Sequence, residues 1–187
     1  MINLVGKVVS SDEMYVSGHK LYSSLMQVLR VSGVVDNIML RSDEKLPLGY
    51  VEIYGVIRSY SRPSKYTKTS QEVFVKSFSS ISDEAFNSYK KRDKTRNDVN
   101  ENVIILSISK VRETPGKKKI VEMRLKSLKG QRYGWNAIAW GDDAEKLVEL
   151  GKGAKVHING RLQSREYEKC GERIEIREVS ISNFNII

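Results

Sequence analysis

The chain of 187 residues has little cysteine and little histidine: Cys170 is the only cysteine, and His19 and His157 are the only histidines. A single cysteine excludes an internal disulfide and a zinc site built from several thiolates. No apolar run approaches the roughly 20 residues that cross a bilayer, and the N-terminal residues lack the basic and then apolar order of a signal peptide. The sequence therefore predicts a cytoplasmic protein that holds no metal or cofactor and does not associate with a membrane.

Catalytic motifs are also lacking. Neither histidine belongs to a convincing Ser-His-Asp arrangement, and the chain has no GxxxxGK phosphate-binding loop. Gly151 and Gly153 are better explained as the end of a helix, and Cys170 lies in a glutamate-rich loop that disfavours a reactive thiolate. We expect a binding protein and no enzyme.

Basic residues are in excess. The sequence has 32 Lys and Arg against 23 Asp and Glu, a net charge of +9, and 40% of its residues are hydrophobic, which is enough for a folded core. A positive excess favours polyanionic partners such as nucleic acid or an anionic membrane face. Charge alone does not distinguish these partners.

Two segments of the chain are similar to each other at a constant offset: "VEIYGVIRSY" (51–60) and "VHINGRLQSR" (156–165). Each alternates apolar and polar residues around a central glycine, as a strand with one buried face does. In the second copy the alternation puts Val156, Ile158 and Leu162 on the buried face. We predict that the central glycines, Gly55 and Gly160, mark a bulge or a sharp bend. The polar face would hold Lys155, His157, Asn159, Arg161, Gln163 and Arg165.

Each half of the chain contains five strand-like segments. In the first half these are "NLVGKVV", "LYSSLMQVLRV", "VVDNIML", "YVEIYGVIRSY" and "QEVFVKSF", with no good helix among them. In the second half, "NVIILSISKV", "KKKIVEMRL" and "YGWNAIAW" precede "GDDAEKLVELGKG", which predicts a helix capped by Asp142 or Asp143 and ended by Gly151 or Gly153. Two further strands, the second copy of the repeat and "RIEIREVSI", follow this helix.

Five short strands with a helix between the third and fourth are typical of the OB-fold, a small Greek-key barrel. We predict a mainly β protein with two five-stranded OB-fold barrels in tandem and a short helix between strands 3 and 4 of the second. The predicted domains are an N-terminal barrel (1–81), a charged linker (82–101) and a C-terminal barrel (102–187). The linker has few apolar residues and charges of both signs.

Basic and aromatic residues lie close together in the second half. The segment "GKKKIVEMRLKSLKGQR" has Glu122 as its only acidic residue, and two tryptophans follow it. Cations can contact phosphates, and flat rings can stack on unpaired bases. The candidate nucleic-acid-binding residues are Lys117, Lys118, Lys119, Arg124, Lys126, Arg132, Trp135, Trp140, Arg161, Arg165 and Tyr167.

Structural roles are the alternative for these residues. The lysine run could form a solvated hairpin, and Tyr167 could pack against its own loop. Trp140 follows Ile138 at strand spacing and could belong to the core, whereas Trp135 has the opposite parity. At least one indole is therefore expected to face solvent. The two arginines of the polar face, at positions 161 and 165, could pair with Glu166, Glu168 or Glu172.

The first half offers a parallel loop, "RSYSRPSKYTKTS", which contains no acidic residue. It could bind nucleic acid, or it could be a mobile hydrophilic hairpin tip. Its candidate residues are Arg58, Tyr60, Arg62, Lys65, Tyr66 and Lys68.

About the last fifty residues, "WNAIAWGDDAEKLVELGKGAKVHINGRLQSREYEKCGERIEIREVSISNF", resemble the bacterial single-stranded DNA-binding protein family. The first half, with "RVSGVVD" and "VEIYGVIRSY", resembles the same superfamily more distantly, nearer to primosomal replication protein B. The resemblance implies base stacking at Trp135 or its neighbour, at Trp140 and at Tyr167, and a DNA path lined by Arg161 and Arg165. The family's paired aromatics before the helix stand at even spacing, whereas these tryptophans are five residues apart.

Family members commonly end in a glycine-rich tail with an acidic tip that recruits repair proteins, and the segment "ISNFNII" has neither. Recruitment by that route is not expected. Two barrels per chain would let a dimer present four. The resemblance implies sequence-tolerant binding of single-stranded DNA in replication, recombination or repair. The alternatives are a primosome-like or mobile-element replication accessory that acts mainly through protein contacts, and a tandem-barrel RNA binder, since no residue pattern reads a 2′-hydroxyl.

Overall fold

A computed structural model of the chain describes residues 1–61, 69–91, 97–130 and 133–187. Strands account for most of these residues. The first five are β1 (Ile2–Val16), β2 (His19–Leu29), β3 (Val35–Ser42), β4 (Gly49–Ser61) and β5 (Thr69–Ser80). A helix, α1 (Asp83–Lys91), is followed by β6 (Asn97–Ile108), β7 (Arg112–Glu113), β8 (Lys119–Ser127) and β9 (Trp135–Trp140). The chain ends with helix α2 (Gly141–Leu150), β10 (Lys155–Lys169) and β11 (Glu172–Ile186).

The strands form two closed barrels. In the first, the neighbours run β2-β3-β5-β4-β1, and pairing of β1 with β2 closes the sheet. In the second they run β6-β10-β11-β9-β8, pairing of β6 with β8 closes the sheet, and β7 adds to β8. The third and fifth strands of each barrel are parallel, β3 with β5 and β9 with β11. The predicted fold, two five-stranded OB-fold barrels with a helix between strands 3 and 4 of the second, is confirmed.

The apolar face of the repeat lies in the core of each barrel, as predicted. Val51, Ile53 and Ile57 are at most 4% exposed, and their counterparts Val156, Ile158 and Leu162 are at most 2% exposed. Period-2 alternation predicted this side of the strands because every second side chain points to the same face.

The central glycines do not mark bulges in the pairing with the first strand of each barrel. β4 keeps its register with β1 through Gly55, and β10 keeps its register with β6 through Gly160. Instead, a Cβ on Gly55 would lie 2.6 Å from the carbonyl oxygen of Phe74, and a Cβ on Gly160 would meet the carbonyl oxygen of Ser180. Glycine is therefore required because another strand approaches too closely for any side chain.

Register shifts occur in the first strand of each barrel instead. The β1–β2 pairing slips between Val8 and Ser10, and the β6–β8 pairing slips between Ile105 and Ser107. Such irregularities bend and twist a strand, as barrel closure requires.

Helix α2 forms where the sequence predicts it, but its N-terminus differs. Asp142 and Asp143 lie inside the first turn, where negative charge is favourable, and neither caps the helix; Trp140 is the N-cap residue. Gly151 ends the helix with a φ of 73°, and its N–H donates to the carbonyl oxygen of Leu147. In the part of the chain that the structure describes, no helix combines the length and apolar character needed to cross a membrane.

The predicted linker is partly helical. α1 occupies much of it, and the side-chain oxygen of Ser82 accepts the N–H of Ala85 at the start of the helix. Phe86 is 8% exposed and stacks on Tyr50 with ring centroids 3.9 Å apart. Segment 82–101 is therefore structured in part, because one buried aromatic ring is enough to dock a short polar helix. Strand β6 also begins within this segment.

The contacts of the chain define two compact units that do not follow sequence order. The first unit comprises 1–57, 72–98 and 164–175, and the second comprises 58–71, 99–163 and 176–187. The first unit thus includes the tip of the β10–β11 hairpin, and the second includes the end of β4 and the start of β5. The predicted domain boundaries stay a prediction.

Within the first unit, the carboxylate of Asp36 fixes the hairpin tip. Asp36 is fully buried and accepts two hydrogen bonds from the Arg30 guanidinium, both 2.6 Å long. The same carboxylate accepts the backbone N–H of Ser164 at 2.7 Å, and the Ser164 hydroxyl accepts the backbone N–H of Asn37 at 2.8 Å. A buried carboxylate keeps its charge only where donors surround it, so these bonds hold residue 164 against the start of β3.

We expect Gly160→Ala to destabilise the protein by about 1–3 kcal/mol, because the added methyl group forces two strands apart. Urea unfolding measures the change. Gly116→Ala is the matched control, since its Cβ would come no closer than 3.9 Å to its nearest neighbour, the Thr114 hydroxyl oxygen. Equal stability of the two variants would contradict the close approach at Gly160.

We expect Asp36→Ala to loosen the β10–β11 tip, because the N–H of Ser164 and the guanidinium of Arg30 lose their buried acceptor at a cost of about 1–3 kcal/mol. Hydrogen exchange of the peptide that contains residues 164–175 should become faster. Asp43→Ala, at an exposed position, serves as the control. Unchanged exchange in the Asp36 variant would show that this carboxylate does not hold the hairpin.

Candidate nucleic-acid interface

The outer side of β8 and β9 carries a group of polar and basic side chains, here called the basic face: Arg124, Lys126 and Asn136. Met123 and Leu125 point into the core, so the alternate residues 124 and 126 point outward. Arg124 lies opposite Asn136 in the β8–β9 pairing, and its guanidinium donates to the carbonyl oxygen of Gly134 at 2.8 Å. Among the described residues, neither Arg124 nor Lys126 has a carboxylate within ion-pair distance, so both charges remain available to an anion.

Exposed residues continue the basic face beyond the end of β8. Leu128 is 42% exposed, Tyr133 is 36% exposed, and Lys129 is exposed as well. The acidic residue on the same side of β8, Glu122, accepts a hydrogen bond from Arg112 at 2.7 Å. Its charge is therefore compensated, and the basic face keeps a positive sign.

Trp135 is predicted to stack on bases, and the structure shows that this prediction is wrong. It is 1% exposed and lies opposite the core residue Leu125. Trp140 is 39% exposed. Residues five apart on a strand point to opposite faces, so one indole enters the core and the other faces out. The prediction that at least one indole faces solvent is confirmed.

Trp140 lies at the other end of β9 from the basic face. It pairs with Ile120 at the start of β8, and Asp142 and Asp143 follow it in the first turn of α2. Four residues of strand separate it from Asn136, a distance of about 13 Å. The exposed indole therefore has acidic neighbours, and the cations of the basic face lie further along the strand.

The lysine run before and at the start of β8 fits the solvated-hairpin interpretation. Lys117 adopts a φ of 57° in the turn, and it and Lys118 are exposed. Lys119 donates to Glu145 at 2.7 Å, and this hydrogen bond raises the pKa of Lys119. Two cations of the run remain without a carboxylate partner among the described residues.

The polar face of β10 is less exposed than alternation predicts. Gln163 is 7% exposed, and its amide donates to the buried carboxylate of Glu178 at 2.8 Å. The guanidinium of Arg161 donates to the Gln163 side-chain oxygen at 3.4 Å. Arg161 therefore belongs to a polar network of the second unit that reaches the buried Glu178 through Gln163.

Tyr167 and Arg165 belong to the hairpin tip in the first unit. Tyr167 is 36% exposed, Arg165 is half-buried, and the nearby Arg173 pairs with Glu166 at 3.1 Å. The structure therefore does not bring Tyr167 into the same unit as Trp140 and the basic face.

The first-half candidates are described only in part. Arg58 is half-buried in β4, and only the backbone of Tyr60 is described. The remaining candidates fall outside the described residues: Arg62, Lys65, Tyr66 and Lys68, together with Arg132 of the second half.

Two residues of this region were not predicted from the sequence. Asn136 is a polar residue at an outward position of an otherwise apolar strand, so the alternation along β9 could have identified it. Gln71 is 7% exposed, and its side-chain oxygen accepts the backbone N–H of Asn136 at 3.0 Å. Local pattern could not reveal this second contact, because 65 residues separate its partners.

Comparison with known proteins supports the family resemblance, although no family model matches the chain. Single-stranded DNA-binding protein 2 of Streptococcus agalactiae is 39% identical over 70 residues, which are 36% of this chain and 53% of that protein. A protein of the same name from Streptococcus pyogenes is 37% identical over 71 residues, 44% of its length. The resemblance to the single-stranded DNA-binding protein family is confirmed. The chain spans about half the length of the curated relatives it matches.

A solved structure covers the whole chain. The single-stranded DNA-binding protein of Thermus aquaticus matches 100% of this chain and 91% of its own with a TM-score of 0.70 and 18% sequence identity. At this identity the match establishes the tandem OB-fold, and function has to be argued from the residues.

The different positions of the two indoles predict different collisional quenching. In Trp135→Phe, only Trp140 emits, and iodide should quench it strongly; in Trp140→Phe, only the buried Trp135 emits, and iodide should quench it weakly. Free tryptophan gives the exposed limit. Equal quenching of the two variants would contradict the assignment of the core indole.

Proposed function

We propose that the protein binds single-stranded DNA with little sequence preference. The observation that carries the proposal is the basic face, where Arg124 and Lys126 lie beside Asn136 with no carboxylate partner among the described residues. Cations that have no carboxylate partner can neutralise phosphates, and release of the counterions from the strand then drives binding.

Exposed rings supply the second part of the interaction. Trp140 and Tyr133, both in the second unit, are 39% and 36% exposed, so one side of each can receive a base. Stacking on an aromatic ring contributes about 1–3 kcal/mol per base and tolerates every base, because each has a flat face. Charge along the backbone and stacking on rings together give affinity without sequence readout.

The cellular role follows from this activity. A strand binder of this kind protects and presents DNA in replication, recombination or repair, and a dimer of the chain would present four barrels. Two other functions make different demands. A replication accessory that acts through proteins would bind strands weakly, and an RNA binder would prefer RNA to DNA of the same sequence.

We expect strand affinity to fall steeply with salt, because each phosphate neutralised on single-stranded nucleic acid adds about 0.7 to the slope of log affinity against log salt. Replacing both cations, Arg124→Gln with Lys126→Gln, should lower the slope by about 1.4. A fluorescence titration with oligothymidine over a series of salt concentrations measures both effects.

Lys152→Gln, in the loop after α2, is the control for a change in net charge, and we expect its slope to match the parent's. Matched RNA and duplex oligomers complete the titration. A slope near zero would exclude phosphate neutralisation, and stronger binding of the RNA oligomer would favour the RNA alternative.

A further inference from the structure

Positive charge is distributed very unevenly between the two compact units. The residues of the second unit include 18 Lys and Arg against 8 Asp and Glu, a net charge of +10. Those of the first unit include 14 against 15, a net charge of −1. Counted over the described residues alone, the numbers are 14 against 8 and 11 against 14, so the contrast remains. The whole positive excess of the chain therefore belongs to the second unit.

The hairpin tips contribute to this contrast. Residues 58–71 contain no acid and belong to the second unit, whereas residues 164–175 contain three Lys and Arg against four Glu and belong to the first. Gln71 fixes the end of the first of these segments to the basic face through its hydrogen bond from the N–H of Asn136.

The cations on β2, on β3 and in the turn between them are already paired. Lys20 contacts Glu13, Arg30 contacts Asp36, and Arg41 contacts Glu72, each at 2.6 Å. Arg41 and Glu72 are buried together, and the hydrogen bond to Glu13 raises the pKa of Lys20. Asp36 and Glu72 are buried, so breaking either of their pairs to contact a phosphate would leave a buried carboxylate without its partner, and Arg30 and Arg41 are therefore poorly suited to bind DNA.

The outer side of β2 and β3 carries uncharged side chains in the middle of this pairing, whereas the basic face carries cations. Leu25 lies opposite Met39 in this pairing, and Gln27 lies opposite Asn37. β2 and β3 are the second and third strands of their barrel, as β8 and β9 are of theirs. Equivalent positions of the two barrels therefore differ in charge: those on β8 and β9 include cations, and those on β2 and β3 are uncharged.

We propose that the second unit alone holds the DNA strand, across the basic face and beside the Gln71–Asn136 contact, and that the first unit does not bind it. The inference rests on the proposed function and assigns it to one of two similar barrels. The charge close to the bound strand decides which unit holds it, because salt screens exposed charges beyond about 8–10 Å.

Two variants of equal charge change test the assignment in the full chain. The first carries Lys7→Gln, Lys45→Gln and Lys76→Gln, three exposed cations of the first unit. The second carries Arg124→Gln, Lys126→Gln and Lys129→Gln. The salt slope for oligothymidine should stay at the parent value in the first variant and fall by about 2 in the second. An oligothymidine of about ten nucleotides, within the site size of one OB-fold, then carries a photoreactive 5-iodouracil, and its crosslinked peptides are mapped.

Crosslinks confined to peptides of the second unit, with a loss of slope in the second variant alone, are the expected result. Crosslinks to β2 or β3, or an equal loss of slope in both variants, would overturn the assignment while leaving strand binding intact. Absence of salt-dependent binding in the parent would overturn the proposed function, and the assignment with it.

Discussion

One buried polar contact at the start of the third strand of each barrel binds a distant part of the chain, and each of these contacts lies within one compact unit. In the first unit, Asp36 is fully buried and accepts the N–H of Ser164; in the second, the buried side chain of Gln71 accepts the N–H of Asn136. Burying an acceptor is costly unless a donor reaches it, so each contact holds the backbone N–H that it accepts in one position. The two units therefore share a design in which an acceptor side chain binds backbone from a distant part of the chain.

This arrangement explains why a chain of +9 presents one strongly basic unit. Divided by sequence order, both halves look basic; divided by contacts, one unit has a net charge of +10 and the other −1. A polyanion responds to the local field rather than to the total charge, because screening limits each exposed charge to its surroundings. The pairing of Lys20, Arg30 and Arg41 within the first unit lowers its attraction for phosphates further. The two barrels thus share a fold but differ in charge and in the pairing of their cations.

The fold could be predicted because its strands and α2 follow from patterns between residues that are close in sequence. Alternation located the strands and the buried faces of Val51 and Val156, and the apolar spacing of Ala144 and Leu147 located α2. The basic face could also be predicted in part, through Arg124 and Lys126, since alternation on β8 gives their side. The contacts of Gln71 and Ser164 could not, because they join residues 65 and 128 positions apart and leave no local pattern. The docking of α1 depends on one ring, Phe86, in a segment whose composition is that of a linker.

The positions of the exposed indole and of the cations limit the path of a strand on the second unit. Trp140 lies beside Asp142 and Asp143, which repel phosphates, while Arg124 lies about 13 Å and Lys126 about 20 Å away along the sheet. A strand that used both would place its backbone over the cations and turn a base toward the indole, with the phosphates kept away from α2. Under the proposed function, acidic residues beside the ring would orient the strand, because the base is neutral and the phosphate is not. The buried Trp135 has a structural role in the same strands. Its ring fills the core beneath the cations and supports the strands that carry them.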